Sequence, residues 1–414
     1  MTTSASTTGR PALNEYVETL PRIHWHEPTS SYDVVIVGGG GHGLSTAYYL
    51  AARHGITNVA VLEADYIASG NTGRNTTIIR ANYGIPEAVR FYQHSLELYQ
   101  GLEDELGASL LHQTKGIFWV AHTEMAMRTE RARVQMNTAC GAKTVMVTPA
   151  ELKELVPQVD LSGAGRYPVL GASYHLEGAT ARHDRVAWAF AAGASSRGVH
   201  VVQHTPVIGL LRHGDRVVGV ETARGPIQAG VVLSAVGGRV QAMAAHAGVR
   251  LPIRTHPLHA FVTDDYAQGF GPILASTELA CYVSQTERGQ MLIGAEFDSQ
   301  PSFSRQSSFA ALRGYSYKIT RLLPFLRDLR ILRTWAGICD ISADYSPIMS
   351  ETGVPGFLVT TGWGTWGFKA IPAGGEGMAE LIATGRRNAY IGPFTLDRFR
   401  RDHVLADQGS AGTR

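Results

Sequence analysis

The sequence predicts an α/β (α+β) protein in which a domain on a parallel sheet is interrupted by a second domain on a mostly antiparallel sheet. Near the N-terminus, a short apolar strand leads into a glycine-rich turn and a helix, which is typical of a βαβ unit. Between residues 251 and 331 the pattern changes to longer strands, and glycine-rich segments return afterwards. The 414 residues agree with two to three domains of about 150 residues each.

The first βαβ unit begins at Tyr32. Residues 33–37 are an apolar run that ends in glycines, as expected of a buried parallel strand. Residues 43–53 carry apolar side chains at helical spacing, and residues 59–62 form a second apolar strand. The three elements span about thirty residues, the usual size of one βαβ unit.

The later elements alternate between helices and strands. Thr148, Pro149 and Glu151 form a capping-box pattern at the start of a short helix. Other helices are expected at 89–106 and 183–196, strands at 199–202, 217–220, around 227 and at 231–236, and a hairpin turn at 287–290. We assign an N-terminal arm (1–31), a parallel-sheet domain (32–85, 148–240 and 340–400), an antiparallel-sheet domain (86–147 and 241–339) and a C-terminal tail (401–414).

Composition excludes several classes of protein. The formal net charge is +2 and the longest basic run is a pair such as Arg386–Arg387, so no nucleic-acid partner is expected. The cysteines Cys140, Cys281 and Cys339 form no C-x-x-C pair, so neither a zinc site nor a disulfide framework is expected. The first thirty residues lack an apolar signal region, and no apolar run approaches about 18 residues. We expect a cytoplasmic protein that does not span a membrane.

The N-terminal segment contains the cluster His24-Trp25-His26. Two histidines beside a tryptophan could suggest a metal site. We favour an arm that packs on a neighbouring subunit or on the chain's own surface, and we predict no metal.

Gly38, Gly40 and Gly43 fit the pattern G-x-G-x-x-G between the first strand and the first helix. Gly38 permits a tight turn, Gly40 lets the backbone approach a pyrophosphate, and Gly43 allows close contact between helix and strand. Glu63, about twenty residues further on, ends the second strand, where a carboxylate can accept hydrogen bonds from ribose hydroxyls. This context predicts a Rossmann-like site for a dinucleotide.

The choice between FAD and NAD depends on the remaining glycine-rich segments. Residues 70–77 are dense in small hydrogen-bonding side chains, and residues 362–369 form a glycine segment near the C-terminus. Val207, on the strand after the late helix, could supply a second contact on the adenine side. A site assembled from both ends of the chain favours FAD, because NAD dehydrogenases usually keep their site in one continuous domain. The alternative is that these glycines only form turns.

Four stretches resemble the β subunits of heterotetrameric sarcosine oxidases, in the D-amino-acid-oxidase-like family of FAD enzymes: SYDVVIVGGGGHGLSTAYYLAARHGITNVAVLE, GNTGRNTTIIRANY, GATARHDRVAWAFA and GWGTWGFKAIP. The resemblance covers about residues 32–400. It implies non-covalent FAD, a covalent FMN shared with a large α subunit, and two small subunits, γ and δ. It further implies NAD and tetrahydrofolate on the α subunit.

The resemblance also implies roles for individual residues. His183 matches the histidine that carries FMN, beside Arg182, while His256 and Arg333 lie in family-like stretches and are candidate FMN contacts. The residues that match the family's FAD site are Gly38, Gly40, Gly41, His42, Gly43, Glu63, Asn71, Thr72, Arg74, Thr76, Thr77, Ile78, Gly364, Gly367 and Lys369, with Val207 added as an adenine contact.

Arg80 and Lys369 match the basic pair that holds the substrate carboxylate, so we predict that they are the catalytic residues. Trp366 stands where the family carries a small residue, and we expect its indole to reshape the amine pocket. Relatives with covalent FAD attach it through a cysteine at the position of Gly337, two residues before Cys339, so covalent FAD is not expected.

The activity that the resemblance implies is oxidative demethylation of a secondary N-methyl amino acid such as sarcosine. Electrons would pass from FAD to FMN and then to oxygen, giving hydrogen peroxide and formaldehyde or methylenetetrahydrofolate. The alternatives are a subunit of the N-methylglutamate dehydrogenase type, and a flavin-binding assembly or electron-relay subunit without a substrate.

Overall fold

The structure, a computed structural model, describes residues 20–162 and 167–406. Its helices are α1 (Gly41–His54), α2 (Pro86–Leu106), α3 (Glu124–Ala139), α4 (Pro149–Leu155), α5 (His183–Ser195), α6 (Val240–His246), α7 (Phe309–Leu322) and α8 (Ile371–Thr384). Its strands are β1 (Ser31–Val37), β2 (Val59–Leu62), β3 (Ile78–Ile79), β4 (Gln113–Thr114), β5 (Ile117–Ala121), β6 (Thr144–Val147), β7 (Gly171–His175), β8 (Ala179–Thr180), β9 (His200–Val202), β10 (Val207–His213), β11 (Arg216–Thr222), β12 (Gly225–Ser234), β13 (Ile253–Asp265), β14 (Ile273–Ser276), β15 (Cys281–Gln285), β16 (Gln290–Phe297), β17 (Ile331–Ser342), β18 (Ile348–Glu351) and β19 (Phe357–Thr361).

A largely parallel sheet forms the first domain, as predicted. Its strand order is β10-β11-β12-β1-β2-β9, with β19 also paired to β12, and β12, β1, β2 and β9 run parallel. Alternate residues of β1 face opposite cores. Val34 and Ile36 pack in the core that contains α1, α5 and α8, while Val35 and Val37 pack in a second core with α6. Burial on both faces explains why β1 and β2 are almost continuously apolar.

A second sheet has the order β17-β13-β16-β15-β14-β5-β7-β6. Its pairs are antiparallel except for β14 with β5, which confirms the mostly antiparallel second domain. Ile319 and Leu322 of α7 pack with Phe261 and Ile293 of this sheet. A small sheet, β3-β8-β4, accompanies the two large ones.

Two of the expected domain boundaries differ from the structure. The sequence pattern places residues 148–175 in the parallel-sheet domain, but β7 pairs with β5 and β6 of the second sheet. The sequence pattern places the helix α2 in the antiparallel-sheet domain, yet Phe91, Tyr92 and Tyr99 are buried in the core of α1 and α8. In both cases the partner lies far away in sequence, and local patterns carry no information about such pairing.

Several local predictions are confirmed. Thr148 and Glu151 form a complete capping box at the start of α4, with Pro149 in the first turn. The helix predicted after Arg182 is α5, and β15 and β16 form the predicted hairpin around residues 286–289. The strands expected around Ile227 and at 231–236 are one long strand, β12.

The described part of the N-terminal arm packs on the chain's own surface. Trp25 forms a parallel bridge with Val201 of the edge strand β9 and packs edge-on against Trp188, with 6.2 Å between ring centroids. His26 stacks on His200 at 4.3 Å. Within the described ranges, no group of three His, Cys, Asp or Glu side chains could hold a metal ion. Over the same ranges, no helix combines the length and apolarity needed to cross a membrane.

Candidate flavin and substrate site

A cavity of about 760 Å³ lies at the carboxyl ends of β1 and β2 and extends to the second sheet. Crevices at the carboxyl ends of parallel strands are the usual ligand sites of α/β sheets. Gly38, Gly40 and Glu63 line its first end, at the carboxyl ends of β1 and β2. Arg80 and Lys369 line the part beside the second sheet. The cavity therefore brings together the predicted dinucleotide and carboxylate sites.

The glycine-rich turn is formed by backbone that leaves no room for side chains. Gly38 has φ +111°, and a Cβ there would lie 2.5 Å from the Ala235 carbonyl oxygen. A Cβ on Gly43 would lie 2.1 Å from the Gly38 carbonyl oxygen. Gly40 differs, since its Cβ would meet only Thr72 Oγ1, at 3.3 Å, and would project at the cavity wall. This arrangement keeps the N-terminus of α1 accessible to a phosphate group.

Glu63 is held in place at the first end of the cavity. Its Oε2 accepts a hydrogen bond from the Gly39 amide at 2.8 Å, and its Oε1 accepts one from the Asp65 amide at 3.0 Å. Carboxylate oxygens can accept further bonds, so the group remains able to bind ribose hydroxyls. Val207 and Pro206 line the same region.

The loop of residues 70–78 is tied to the last third of the chain. The Asn71 side chain accepts from the Ile338 amide at 2.7 Å and donates to the Ile338 carbonyl at 2.5 Å. Thr72 Oγ1 accepts from the Gly41 amide at 2.9 Å, and Trp335 Nε1 donates to the Arg74 carbonyl at 2.7 Å. Thr77 has φ +65°, and its amide donates to Asn75 Oδ1. Asn71, Thr72, Arg74, Thr76, Thr77 and Ile78 all line the cavity.

His42 connects α1 to the C-terminal glycine segment. Its Nε2 donates to the Gly367 carbonyl at 3.0 Å, and its ring stacks on Trp363 at 3.8 Å. Burial lowers the pKa of His42 to about 3, so the imidazole is neutral at physiological pH. The sequence predicts a cofactor contact at His42, and the structure adds that the ring holds Gly367, which lines the cavity together with Gly364.

Arg80 follows β3 and is buried beside the second sheet. Its Nη1 donates to the Asn82 carbonyl at 2.9 Å and to Asn82 Oδ1 at 3.1 Å. The guanidinium lies 4.2 Å from the ring centroid of Tyr83 and 5.1 Å from that of Trp119. Aromatic faces stabilise the charge, and the remaining N–H groups can bind an anion.

Lys369 lies in the turn before α8, and α2 holds the backbone around it. Ser95 Oγ donates to the Lys369 carbonyl at 2.6 Å, and Tyr99 Oη donates to the Phe368 carbonyl at 2.8 Å. The ammonium donates to the Thr365 carbonyl at 3.3 Å. Burial, and secondarily the charge of Arg80, hold the pKa of Lys369 well below its usual value.

Neither cation has a carboxylate partner within the described ranges of the chain. Two buried cations that share a cavity and are not paired with a carboxylate repel each other, and an entering carboxylate offsets that repulsion. The pair that the sequence predicts is thus brought together in space.

Sequence reasoning missed several cavity residues from the second sheet. Ile117 and Trp119 are two positions apart on β5 and therefore face the same side of the sheet, and Tyr282 lies on β15. All three line the cavity. Tyr282 Oη is 2.7 Å from Thr76 Oγ1, and burial raises the pKa of Tyr282 to about 12. Residues 117–121 are apolar without interruption, so the sequence does not indicate which face of β5 meets the cavity, and that face is identified only by the sheet order.

The residues predicted to bind FMN do not line this cavity. His183 is the first residue of α5; its Nδ1 is buried with no hydrogen-bond partner recorded among the described residues, and burial lowers its pKa. Arg182 instead pairs with Asp184 through two bonds of 3.0 and 2.8 Å. His256 Nδ1 lies 2.8 Å from the Asp298 carbonyl, and Arg333 is exposed on β17.

The expectation for Trp366 is wrong. Its ring is buried, is absent from the cavity lining, and packs edge-on against Tyr83 and Tyr92 at centroid distances of 5.0 and 6.2 Å. The indole therefore supports the far side of Tyr83 rather than narrowing the cavity. Gly337 and Cys339 do line the cavity, and burial raises the pKa of the Cys339 thiol.

The residues present fit FAD. A Cβ at Gly40 would occupy the cavity wall beside the N-terminus of α1, as expected where a backbone approaches a pyrophosphate. Glu63 stands at one end for ribose hydroxyls, while small side chains of residues 70–78 and the 362–369 segment line the remainder.

Residues 33–381 match the family described as FAD dependent oxidoreductase. The chain is 42% identical over 393 residues to the β subunit of sarcosine oxidase from Arthrobacter sp, covering 94% of this chain and 97% of that one. It is 40% identical to the corresponding subunit from Rhodobacter capsulatus, covering 93% of each chain. Among solved structures, L-proline dehydrogenase from P. horikoshii superposes with a TM-score of 0.86 at 29% identity, covering 91% of this chain and 100% of that one.

Proposed function

The chain belongs to the FAD-dependent oxidoreductase family, and from that premise we propose that it oxidises a small secondary N-methyl amino acid such as sarcosine. The observation that carries this proposal is the buried pair Arg80 and Lys369, which line the flavin cavity without a carboxylate partner among the described residues. A substrate with one carboxylate and a nearby amine fits such a site.

Several groups would hold FAD. The turn Gly38–Gly41 and the N-terminus of α1 would bind the pyrophosphate, Glu63 the ribose, and the loops 70–78 and 362–369 the flavin half. When bound there, FAD supplies a two-electron acceptor for a C–H bond next to nitrogen.

Arg80 and Lys369 would anchor the carboxylate and so fix the position of the amine within the cavity. Catalysis by positioning of this kind lowers the barrier without a general base. The neutral amine is the reactive form, because its lone pair drives cleavage of the C–H bond. Positive charge from the two cations opposes protonation of the amine. Trp119, Tyr282 and Ile117 would form an apolar wall that limits water.

We further propose that His183 carries FMN and that the chain works in a heterotetramer with α, γ and δ subunits. In support, three relatives that are 39–42% identical to this chain are named β subunits of sarcosine oxidase. The buried Nδ1 of His183 has no hydrogen-bond partner among the residues that the structure describes, and burial favours the neutral ring that can act as a nucleophile. Electrons would then reach oxygen by way of FMN and give hydrogen peroxide. The imine formed from the substrate would be hydrolysed to formaldehyde or, on an α subunit that also binds NAD, would give its one-carbon unit to tetrahydrofolate to form methylenetetrahydrofolate.

Anaerobic titration of the flavin-loaded protein tests the amine-oxidising activity. Sarcosine should bleach the flavin absorbance, whereas dimethylamine, which lacks the carboxylate, should require at least about ten-fold higher concentrations. The same titration with N-methylglutamate distinguishes sarcosine oxidation from the alternative, a subunit of the N-methylglutamate dehydrogenase type. A flavin that no N-methyl amino acid reduces would contradict the proposal and favour an assembly or relay subunit.

Peptide mass analysis tests the covalent FMN. Acid-denatured complex should yield a peptide containing His183 with an FMN-sized mass increment, and His183→Asn should lose the increment while retaining releasable FAD. An unmodified His183 peptide from an active complex would refute this part alone, leaving a single-flavin amine dehydrogenase.

A further inference from the structure

Positive charge is concentrated in one short stretch of this otherwise balanced chain. Between residues 303 and 333 there is a single acidic residue, Asp328, against seven basic ones: Arg305, Arg313, Lys318, Arg321, Arg327, Arg330 and Arg333. The whole chain has a formal net charge of only +2. Within the described part of the chain, no carboxylate pairs with Arg305, Arg313 or Arg333, and Arg330 makes one exposed contact with Asp264.

The same stretch exposes large apolar side chains. Phe309, the first residue of α7, is 76% exposed, and Phe303 and Leu332 are each 58% exposed. Single exposed apolar side chains are common on protein surfaces, but three around one basic stretch are typical of an interaction site. Only Ile319 and Leu322 of α7 are buried, and its other residues are exposed or half-buried.

Hydrogen bonds and charges place these segments side by side. The Ala336 amide of β17 donates to the Arg305 carbonyl at 3.0 Å, and Ser308 caps the start of α7. Arg305 and Arg333 both lower the pKa of Arg74, which places both guanidiniums near it. We call the loop 299–308, α7 and residues 330–334 the basic–apolar patch.

The patch ends in an open sheet edge. β17 is the last strand of the second sheet and, among the described strands, pairs with β13 alone. Residues 331–334 are exposed, and the structure records no main-chain hydrogen bond on their outer side to another described residue. An open edge with apolar side chains is a template for an added strand.

We propose that the basic–apolar patch docks a partner subunit through an extended segment that carries acidic side chains around an apolar centre. The proposal rests on the subunit role proposed above, because it requires a partner. An open strand edge selects a polypeptide over a nucleic acid or a lipid surface, and the excess of arginine selects acidic side chains. Since Arg305 also lines the cavity, the docked subunit would lie at the cavity wall.

The test uses the complex isolated from its own host through a tag on this chain, with the partner identified by mass and then purified. Leu332→Asp should weaken the affinity for that partner at least about ten-fold. Its matched control is Ile208→Asp, on the edge strand β10 of the other sheet, where the side chain is 55% exposed. The double variant Arg313→Glu with Arg330→Glu should also weaken binding of the partner and reduce the salt dependence of that binding. Its matched control is Arg128→Glu with Arg250→Glu, which changes the net charge equally at exposed sites outside the patch and should leave binding unchanged.

Equal affinities for the patch variants and their controls would overturn the proposal, as would tighter binding of a DNA duplex or of phosphatidylglycerol vesicles than of the partner. Reduction of the flavin by sarcosine is measured on the same variants. Loss of docking with normal reduction supports the patch, and failure of reduction in every protein, the wild type included, rejects the proposed activity without touching the docking result.

Discussion

The two parts of the cavity achieve binding by opposite means. The glycine-rich turn offers backbone amides and a helix N-terminus, and it works because side chains are missing at Gly38, Gly40 and Gly43. The other part offers two charged side chains, Arg80 and Lys369, that burial destabilises. Backbone sites of the first kind cost the fold little, whereas buried cations lower its stability until a ligand neutralises them. Cofactor binding and substrate binding therefore respond differently to mutation.

The largest expected effect is at the glycine-rich turn. Gly40→Val should give protein without stoichiometric FAD, because the side chain would occupy the cavity wall that a pyrophosphate must approach. The flavin-to-protein absorbance ratio measures this. Gly101→Val is the control, since Gly101 lies on α2 with open space around its Cβ position. Full flavin content in Gly40→Val would show that the turn does not hold the cofactor.

Arg80→Ala should leave FAD bound but weaken substrate binding. Loss of a charge-assisted hydrogen bond costs about 1.5–3 kcal/mol, roughly ten- to a hundred-fold in Kd. Anaerobic titration with sarcosine measures the Kd, and the exposed Arg128→Ala serves as the control. Unchanged affinity in Arg80→Ala would remove this residue from the anchor.

Lys369→Met should weaken substrate binding and, at the same time, stabilise the ligand-free fold. A lysine whose folded pKa lies below its unfolded value destabilises the protein at low pH, and the penalty disappears as the pH rises to the unfolded pKa. At neutral pH, Lys369→Met removes that penalty, so thermal denaturation should show an increase in Tm on the order of 2 °C. A decrease in Tm would mean that Lys369 stabilises the fold.

The smallest effect concerns pH. Carboxylate affinity should fall as pH rises through the lowered pKa of Lys369, because the ammonium is lost while Arg80 stays charged. Acetate binding, followed by flavin absorbance between pH 6 and 10, measures this. In Lys369→Met the same range should show a flat profile, and an identical slope in both proteins would assign the titration to another group.

Sequence patterns predicted the features that depend on neighbouring residues. The turn at Gly38, the cap at Thr148 and the hairpin after β15 are all set by local backbone requirements. Such local patterns do not predict how residues that are distant in the sequence pack against each other. The position of Trp366 against Tyr83, and the support of Lys369 by Ser95 and Tyr99, depend on how α2 packs. Arg80 and Lys369 were paired only through the family resemblance, since nothing local joins residues 289 positions apart.

The bonds between Asn71 and Ile338 have a consequence for biosynthesis. Residues that close the cavity are separated by most of the chain, from Val37 to Ile371. A ribosome must therefore complete nearly all of the protein before the flavin site exists. Such distant contacts slow folding and prolong the exposure of apolar strands such as β1 and β2. Because a ligand that binds only the folded state stabilises it, cellular FAD supply should govern how much newly made chain escapes aggregation.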